Sequence, residues 1–171
     1  MRAHTIYVRA HALASGYGDP VAGKSWQDDD LVGAWAALLR LHAALVPVID
    51  ADLTSATGIP LGWYDVMLEL YEAPDRRMRM TELGQAAVLS RSRVSRVVDE
   101  LERHGYLMRV PNPDDRRSSY AELTAAGRAA FKKAAPIYLA AIRSRLGSAV
   151  TASEATALRR LMEQALERLT T

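Results

Sequence analysis

Cysteine is absent from this chain. That one absence excludes disulfides, thiolate metal ligands, cysteine nucleophiles and cysteine-based redox sensing, and it is compatible with a cytoplasmic home. Aromatic residues are scarce, at 6%, while alanine, leucine and arginine dominate, a mixture that favours helices over a large sheet. The chain lacks a Gly-rich phosphate loop, a nucleophile elbow and a His/Glu metal motif, so neither catalysis nor a cofactor is expected. The histidines, His4, His11, His42 and His104, are scattered, and Asp28-Asp29-Asp30 at a helix start would point in different directions. No metal site is expected from them. Met1 to Pro20 lacks the apolar core of a signal peptide. One long apolar run exists, Leu31 to Ile49, interrupted by Arg40, His42 and Pro47 and without a basic flank. Its length would allow a membrane span. A helix buried on most sides, as in a subunit interface, is the better reading.

Apolar residues make up 49% of the 171, enough for an ordered core. The pI of about 9.0 accompanies a net charge of only +2, so the placement of the charges matters more than their sum. Residues 1 to 25, with Gly16, Gly18, Pro20 and Gly23, read as a leader. A long helix is expected from Trp26 to Ala56, kinked or split at Pro47 and ended by Gly58 and Pro60. A second helix fits Leu61 to Tyr71, and Ala73-Pro74-Asp75 is a breaker. Thr81 should cap a short helix over Glu82 to Val88, and Ser90 a longer one from Arg91 to His104, stopped by Gly105. Tyr106 to Val110 and Ser118 to Leu123 read as strands of a hairpin around the turn-rich Pro111-Asn112-Pro113-Asp114-Asp115. Thr124 caps a long helix to about Leu146, and Thr151 a last one over Ala152 to Leu169.

In the helix from Arg91, the residues Val94, Val97, Val98 and Leu101 fall at i, i+3, i+4 and i+7 and form a narrow apolar stripe. Ser92, Arg96, Asp99 and Arg103 then lie opposite, with Arg93 and Ser95 beside them. Arginine can make a bidentate bond to the O6 and N7 edge of guanine, and serine can bond a base or a phosphate. Residues 76 to 117 hold ten arginines against six carboxylates, a net +4, whereas the whole chain carries +2 and the remainder therefore −2. Positive charge is thus concentrated on one head, as phosphate binding requires. The hairpin tip adds Asp115-Arg116-Arg117, where an arginine could enter a minor groove or grip phosphates and Asp115 could hold one of them.

The segments Thr81-Glu82-Leu83-Gly84, Leu89 to Glu102, His104-Gly105-Tyr106-Leu107 and Asn112 to Arg117, closed by Leu123-Thr124 and Gly127, resemble the MarR family of bacterial regulators. The resemblance extends from about Asp28 to Leu169, with its specific motifs in the central part. It implies a mainly α (α+β) fold, with a winged helix-turn-helix head over 61–123 on an all-helical dimerisation region made of 26–60 and 124–171. It implies a homodimer that binds double-stranded DNA at a pseudo-palindromic operator, most often as a repressor. Ser90, Arg91, Ser92, Arg93, Ser95 and Arg96 would face the major groove or its phosphates. Arg117 would enter the minor groove, oriented by Asp115, with Arg116 beside it. It further implies a small aromatic or phenolic effector, for which Trp26, Trp35, Trp63, Tyr64 and Asp65 are candidate lining residues; the same aromatics at helical spacing also fit plain core. The rival to a DNA-binding regulator is a winged helix that binds a protein partner, which would have no need of an arginine-rich helix start and wing.

Overall fold

The computed structural model describes residues 29–87, 91–113, 115 and 118–170, and of Arg91 and Ser92 the backbone alone. In chain order these form α1 (Asp30–Thr57), α2 (Leu61–Glu72), a short 3-10 turn (Pro74–Arg76), β1 (Arg77–Arg79), α3 (Met80–Ala86), α4 (Arg91–Arg103), β2 (Leu107–Pro111), β3 (Ser119–Leu123), α5 (Ala125–Gly147) and α6 (Ala152–Thr170). The chain divides into two compact units, residues 1–48 and 49–171, so the division falls within α1.

The described part of the first unit is the apolar start of α1. Asp29 caps it, accepting from the Leu31 backbone N–H at 2.9 Å and the Val32 N–H at 3.4 Å. The expected beginning at Trp26 lies outside the described residues, as does Asp28. Pro47 does not split the helix, which runs unbroken to Thr57. A proline removes a single N–H from the ladder, and the other bonds of a 28-residue helix remain; Pro136 is accommodated inside α5 in the same way. Helix α1 is long and apolar enough to cross a membrane by length and composition. Leu31, Val32, Trp35 and Leu38 are all exposed on it.

In the second unit, Leu53, Val66, Met67, Leu70, Leu83, Val98, Leu101, Leu107 and Leu123 are buried almost completely and form one core with Tyr64, Val94 and Phe131. Each such side chain contributes roughly 1.5–3 kcal/mol through removal from water. The last turns of α1 belong to this unit and are tied into it twice. Asp50 Oδ1 accepts from the Leu61 backbone N–H at 2.7 Å, capping α2 from eleven residues upstream. Arg145 of α5 grips Asp52 with two parallel bonds, of 2.8 and 2.9 Å.

Two elements depart most from the sequence expectation, while both hairpin strands begin only one residue later than expected, at Leu107 and Ser119. Helix α3 begins at Met80, and Thr81 lies inside its first turn; the Arg79 N–H donates to Glu82 Oε2 at 3.1 Å, so Glu82 supplies the cap from within. The short strand β1 was not expected at all. Three residues carry no periodicity to read, and the strand exists because Arg77, Met78 and Arg79 pair antiparallel with Glu122, Ala121 and Tyr120. The sheet order is β1-β3-β2, which leaves β2 at an edge. The breaker before it turns through Asp75 and Arg76, both in the left-handed region at φ 54° and 57°.

Gly105 ends α4 at φ +71°, with the Tyr106 N–H returning to the Leu101 carbonyl at 2.9 Å. The chain then passes against the start of α5. Thr124 accepts from the Gly127 N–H at 3.0 Å, while its hydroxyl donates to the Gly105 carbonyl at 2.7 Å. Gly127 itself abuts the Tyr106 carbonyl so closely that an added Cβ would sit 1.9 Å from that oxygen and 2.8 Å from Leu123 Cδ1. The Leu-Thr-x-x-Gly motif is therefore a joint between wing and helix. Gly127→Ala is expected to destabilise the protein by about 1–3 kcal/mol or more through overpacking, measured by urea unfolding. An unchanged midpoint would show that α5 can withdraw from the hairpin at no cost.

Candidate nucleic-acid interface

Helix α4 carries the phase expected of it. Val94 (1%), Val97 (6%), Val98 (0%) and Leu101 (0%) are buried, while Arg93, Ser95, Arg96, Asp99 and Arg103 are exposed. The backbone of Arg91 and Ser92 forms the first turn. Ser90, expected as a cap and as a contact residue, lies outside the described residues, as do Arg116 and Arg117. Asp115 is exposed at the hairpin tip, where its carbonyl accepts from the Ser118 N–H at 3.0 Å. Its expected pairing with a wing arginine falls on residues that are not described.

Beside Arg93 and Arg96 runs a groove of about 480 Å³, bordered also by Asp50, Trp63 and Glu100. The Trp63 indole N–H donates to Glu100 Oε2 at 2.8 Å, and its ring meets His104 edge-on at 4.6 Å between centroids. His104 sits one residue past the helix end, with Nδ1 2.8 Å from the Glu100 carbonyl. Tyr64 points the other way, into the core, stacked on Phe131 at 5.2 Å and tilted against Tyr138 at 4.5 Å. Trp35 is 61% exposed on α1, and Trp26 lies outside the described residues.

Asp65 is half-buried on α2, and its carboxyl is pushed up to about 6. Burial is the largest cause, the carboxylates of Glu69 and Asp50 add to it, and Arg93 opposes it. Asp65 in turn helps burial to raise the Tyr138 hydroxyl.

Several residues with evident work were not singled out by sequence reasoning. Arg109, in the middle of β2, enters the sequence reading only as one of the ten positive charges of residues 76–117. Its guanidinium instead bridges Asp99 Oδ1 and Glu102 Oε2 of α4, and its backbone N–H donates to Glu102 Oε1 at 3.1 Å. Burial works against the Arg109 charge, but the bonds to Asp99 and Glu102 outweigh it and raise its pKa. Asn112, 2% exposed, pins the neck of the hairpin by donating to Ser118 Oγ at 2.9 Å. Tyr120 of β3 lies under Arg77 and Arg79, with the guanidinium carbons 5.2 and 5.9 Å from its ring. Only the Asn-Pro turn signal hinted at any of these.

A helix with a buried stripe and a basic outer face, preceded by a short helix and followed by an antiparallel hairpin, defines a winged helix-turn-helix protein. Comparison with known proteins agrees. A family model described as the MarR family matches residues 57–118. Sco3205 of Streptomyces coelicolor, a MarR family transcriptional regulator whose crystal structure is in complex with DNA, is 30% identical with a TM-score of 0.74, over 85% of this chain and 92% of that one. AbsC of the same organism is 26% identical with a TM-score of 0.73, over 86% and 99%. The uncharacterized HTH-type transcriptional regulator YkoM of Bacillus subtilis (strain 168) is 38% identical over 60 residues, 35% of this chain and 39% of that protein. The HTH-type transcriptional repressor YetL of the same strain is 28% identical over 79 residues, 46% and 47% of the two. These matches span less than half the length of the two curated relatives. The chain belongs to the MarR family.

The raised Asp65 carboxyl makes stability depend on pH. Between the unfolded value near 4 and the folded value of about 6 the native state holds the extra proton, so stability falls as pH rises through that window. Asp65→Asn is expected to melt higher than the parent at pH 7, with the difference gone below pH 4. Equal melting temperatures at pH 7 would mean that the carboxylate is better solvated than its neighbours suggest.

Proposed function

We propose that this protein is a sequence-specific DNA-binding regulator of transcription that acts in the cytoplasm as a homodimer on a roughly palindromic duplex site. The observation that carries the reading is the outward set Arg93, Ser95 and Arg96 near the start of α4, held in place by the fully buried stripe behind it. Arginine and serine at that end of a recognition helix are suited to base edges and phosphates in a major groove. That Sco3205 was solved in complex with DNA supports the same reading. Ser90, Arg91 and Ser92 extend the contact set in sequence, and the Asp115-Arg116-Arg117 tip supplies a minor-groove or phosphate contact. A homodimer accounts for the apolar residues exposed on α1 and for Leu161, Leu166 and Leu169 exposed on α6, because a second copy would cover them. YetL is named a repressor, which favours repression as the outcome. A small aromatic or phenolic effector that prefers a different spacing of the two heads would lower DNA affinity by its differential affinity for the two states.

The test is selection of bound duplexes from a random-sequence pool, followed by a salt titration on the best of them. An inverted repeat with a steep salt dependence is expected, each phosphate contact adding about 0.9 to the slope. A flat salt dependence, or no enrichment at low salt, would favour a winged helix that recognises protein. Arg96→Ala should weaken binding by about 1–3 kcal/mol with relaxed specificity if it reads a base, or lower the slope by about 1 if it holds a phosphate. Neither change would remove Arg96 from the interface. Arg117→Ala should weaken binding without shifting the melting temperature, and full retained affinity would count against the wing assignment.

A further inference from the structure

We propose that Asp99, Glu102 and Arg109 form a positioning clamp that sets the β2–β3 hairpin against α4 and thereby governs how well the head discriminates its DNA site; the proposal rests on the DNA-binding reading above. The starting point is an apparent conflict of charge. Helix α4 presents Arg93, Arg96 and Arg103 outward, yet Asp99 lies on the same exposed face, with its side chain 56% accessible. A carboxylate there repels phosphate and, taken alone, would weaken any DNA complex.

The contacts resolve the conflict. Asp99 and Glu102 stand three residues apart, on neighbouring positions of one helix face. One guanidinium, that of Arg109, bonds to both. Glu102 also uses its second oxygen to accept the backbone N–H of Arg109 at 3.1 Å. Strand β2 is at the sheet edge, and Arg109 pairs with Ala121 of β3, so this N–H faces away from the ladder and needs an acceptor from elsewhere. The helix supplies it. Main chain and side chain of the same strand residue are thus held by the same helix, which fixes both the distance and the rotation of the hairpin. A lysine could not reproduce this, because it offers a point charge where a planar fork spans two acceptors. On the opposite side, Trp63 holds Glu100, the remaining acid of that segment. The acids of α4 therefore tie the helix to its supports on both flanks.

The clamp and simple electrostatics predict opposite things. Asp99→Asn with Glu102→Gln removes two negative charges from a DNA-facing head, so charge alone predicts tighter binding to every duplex in equal proportion. The clamp predicts that binding to a shuffled duplex is unchanged or tighter, while the preference for the selected duplex falls. The experiment uses the full chain and measures affinity for the parent-selected duplex and for its shuffled counterpart at one salt concentration, beside thermal melting. For the double variant, and separately for Arg109→Lys, the ratio of the two affinities is expected to drop about tenfold, the size of one lost base-pair discrimination. An undiminished ratio in Arg109→Lys and in a folded double variant overturns the proposal. If the double variant melts early, the ratio in Arg109→Lys decides, since that change keeps the charge and the strand. A parent chain that enriches no duplex sinks the DNA reading and the clamp together, whereas a parent that selects its site while the variants keep their ratio sinks the clamp alone.

Discussion

Four side chains, Val94, Val97, Val98 and Leu101, are withdrawn from water along one face of α4, and the outward position of Arg93, Arg96, Asp99 and Arg103 follows from their burial. A helix has one phase. Once this stripe faces the core, Arg93, Ser95, Arg96, Asp99 and Arg103 have nowhere to go but outward. A single buried aliphatic side chain is worth a few kcal/mol, whereas an exposed ion pair is worth about 1 or less, so packing orients the helix and electrostatics then uses what is presented.

The supports of that helix are polar as well as apolar. Trp63 of α2 bonds Glu100, Arg109 of β2 bonds Asp99 and Glu102, and Gly105 turns the chain directly into the wing. At the same end of the hairpin, Thr124 and Gly127 lock the start of α5 against the Gly105–Tyr106 carbonyls. Helix, hairpin and α5 are therefore joined by contacts that tolerate little displacement.

Connections within the second unit run on through Asp50 and Asp52. The first caps α2 and borders the groove beside Arg93 and Arg96; the second is gripped by Arg145. Two neighbouring carboxylates at the end of α1 thus engage α2 and α5 separately. Asp65 is half-buried nearby, and burial, with Glu69 and Asp50 adding to it, pushes its carboxyl up against the pull of Arg93.

The amino-acid sequence by itself determined the elements whose signals are local: the 3.6-residue stripe of α4, the glycine that stops it, the turn-rich hairpin and the threonine caps of α5 and α6. It also carried the concentration of arginines over 76–117, since charge can be counted without coordinates. Tertiary structure decided the rest. Strand β1 exists only because β3 is there to pair with it, and three residues are too few to carry a period. Pro47 reads as a break and is absorbed, because a long helix retains most of its bonds around one missing donor. Arg109 reads in the sequence as one more positive charge, and only folding brought it to Asp99 and Glu102, ten and seven residues upstream across a turn. Pattern along a chain reports which face an element buries; which charges meet is a matter of distance in space, and that is settled only when the faces are packed.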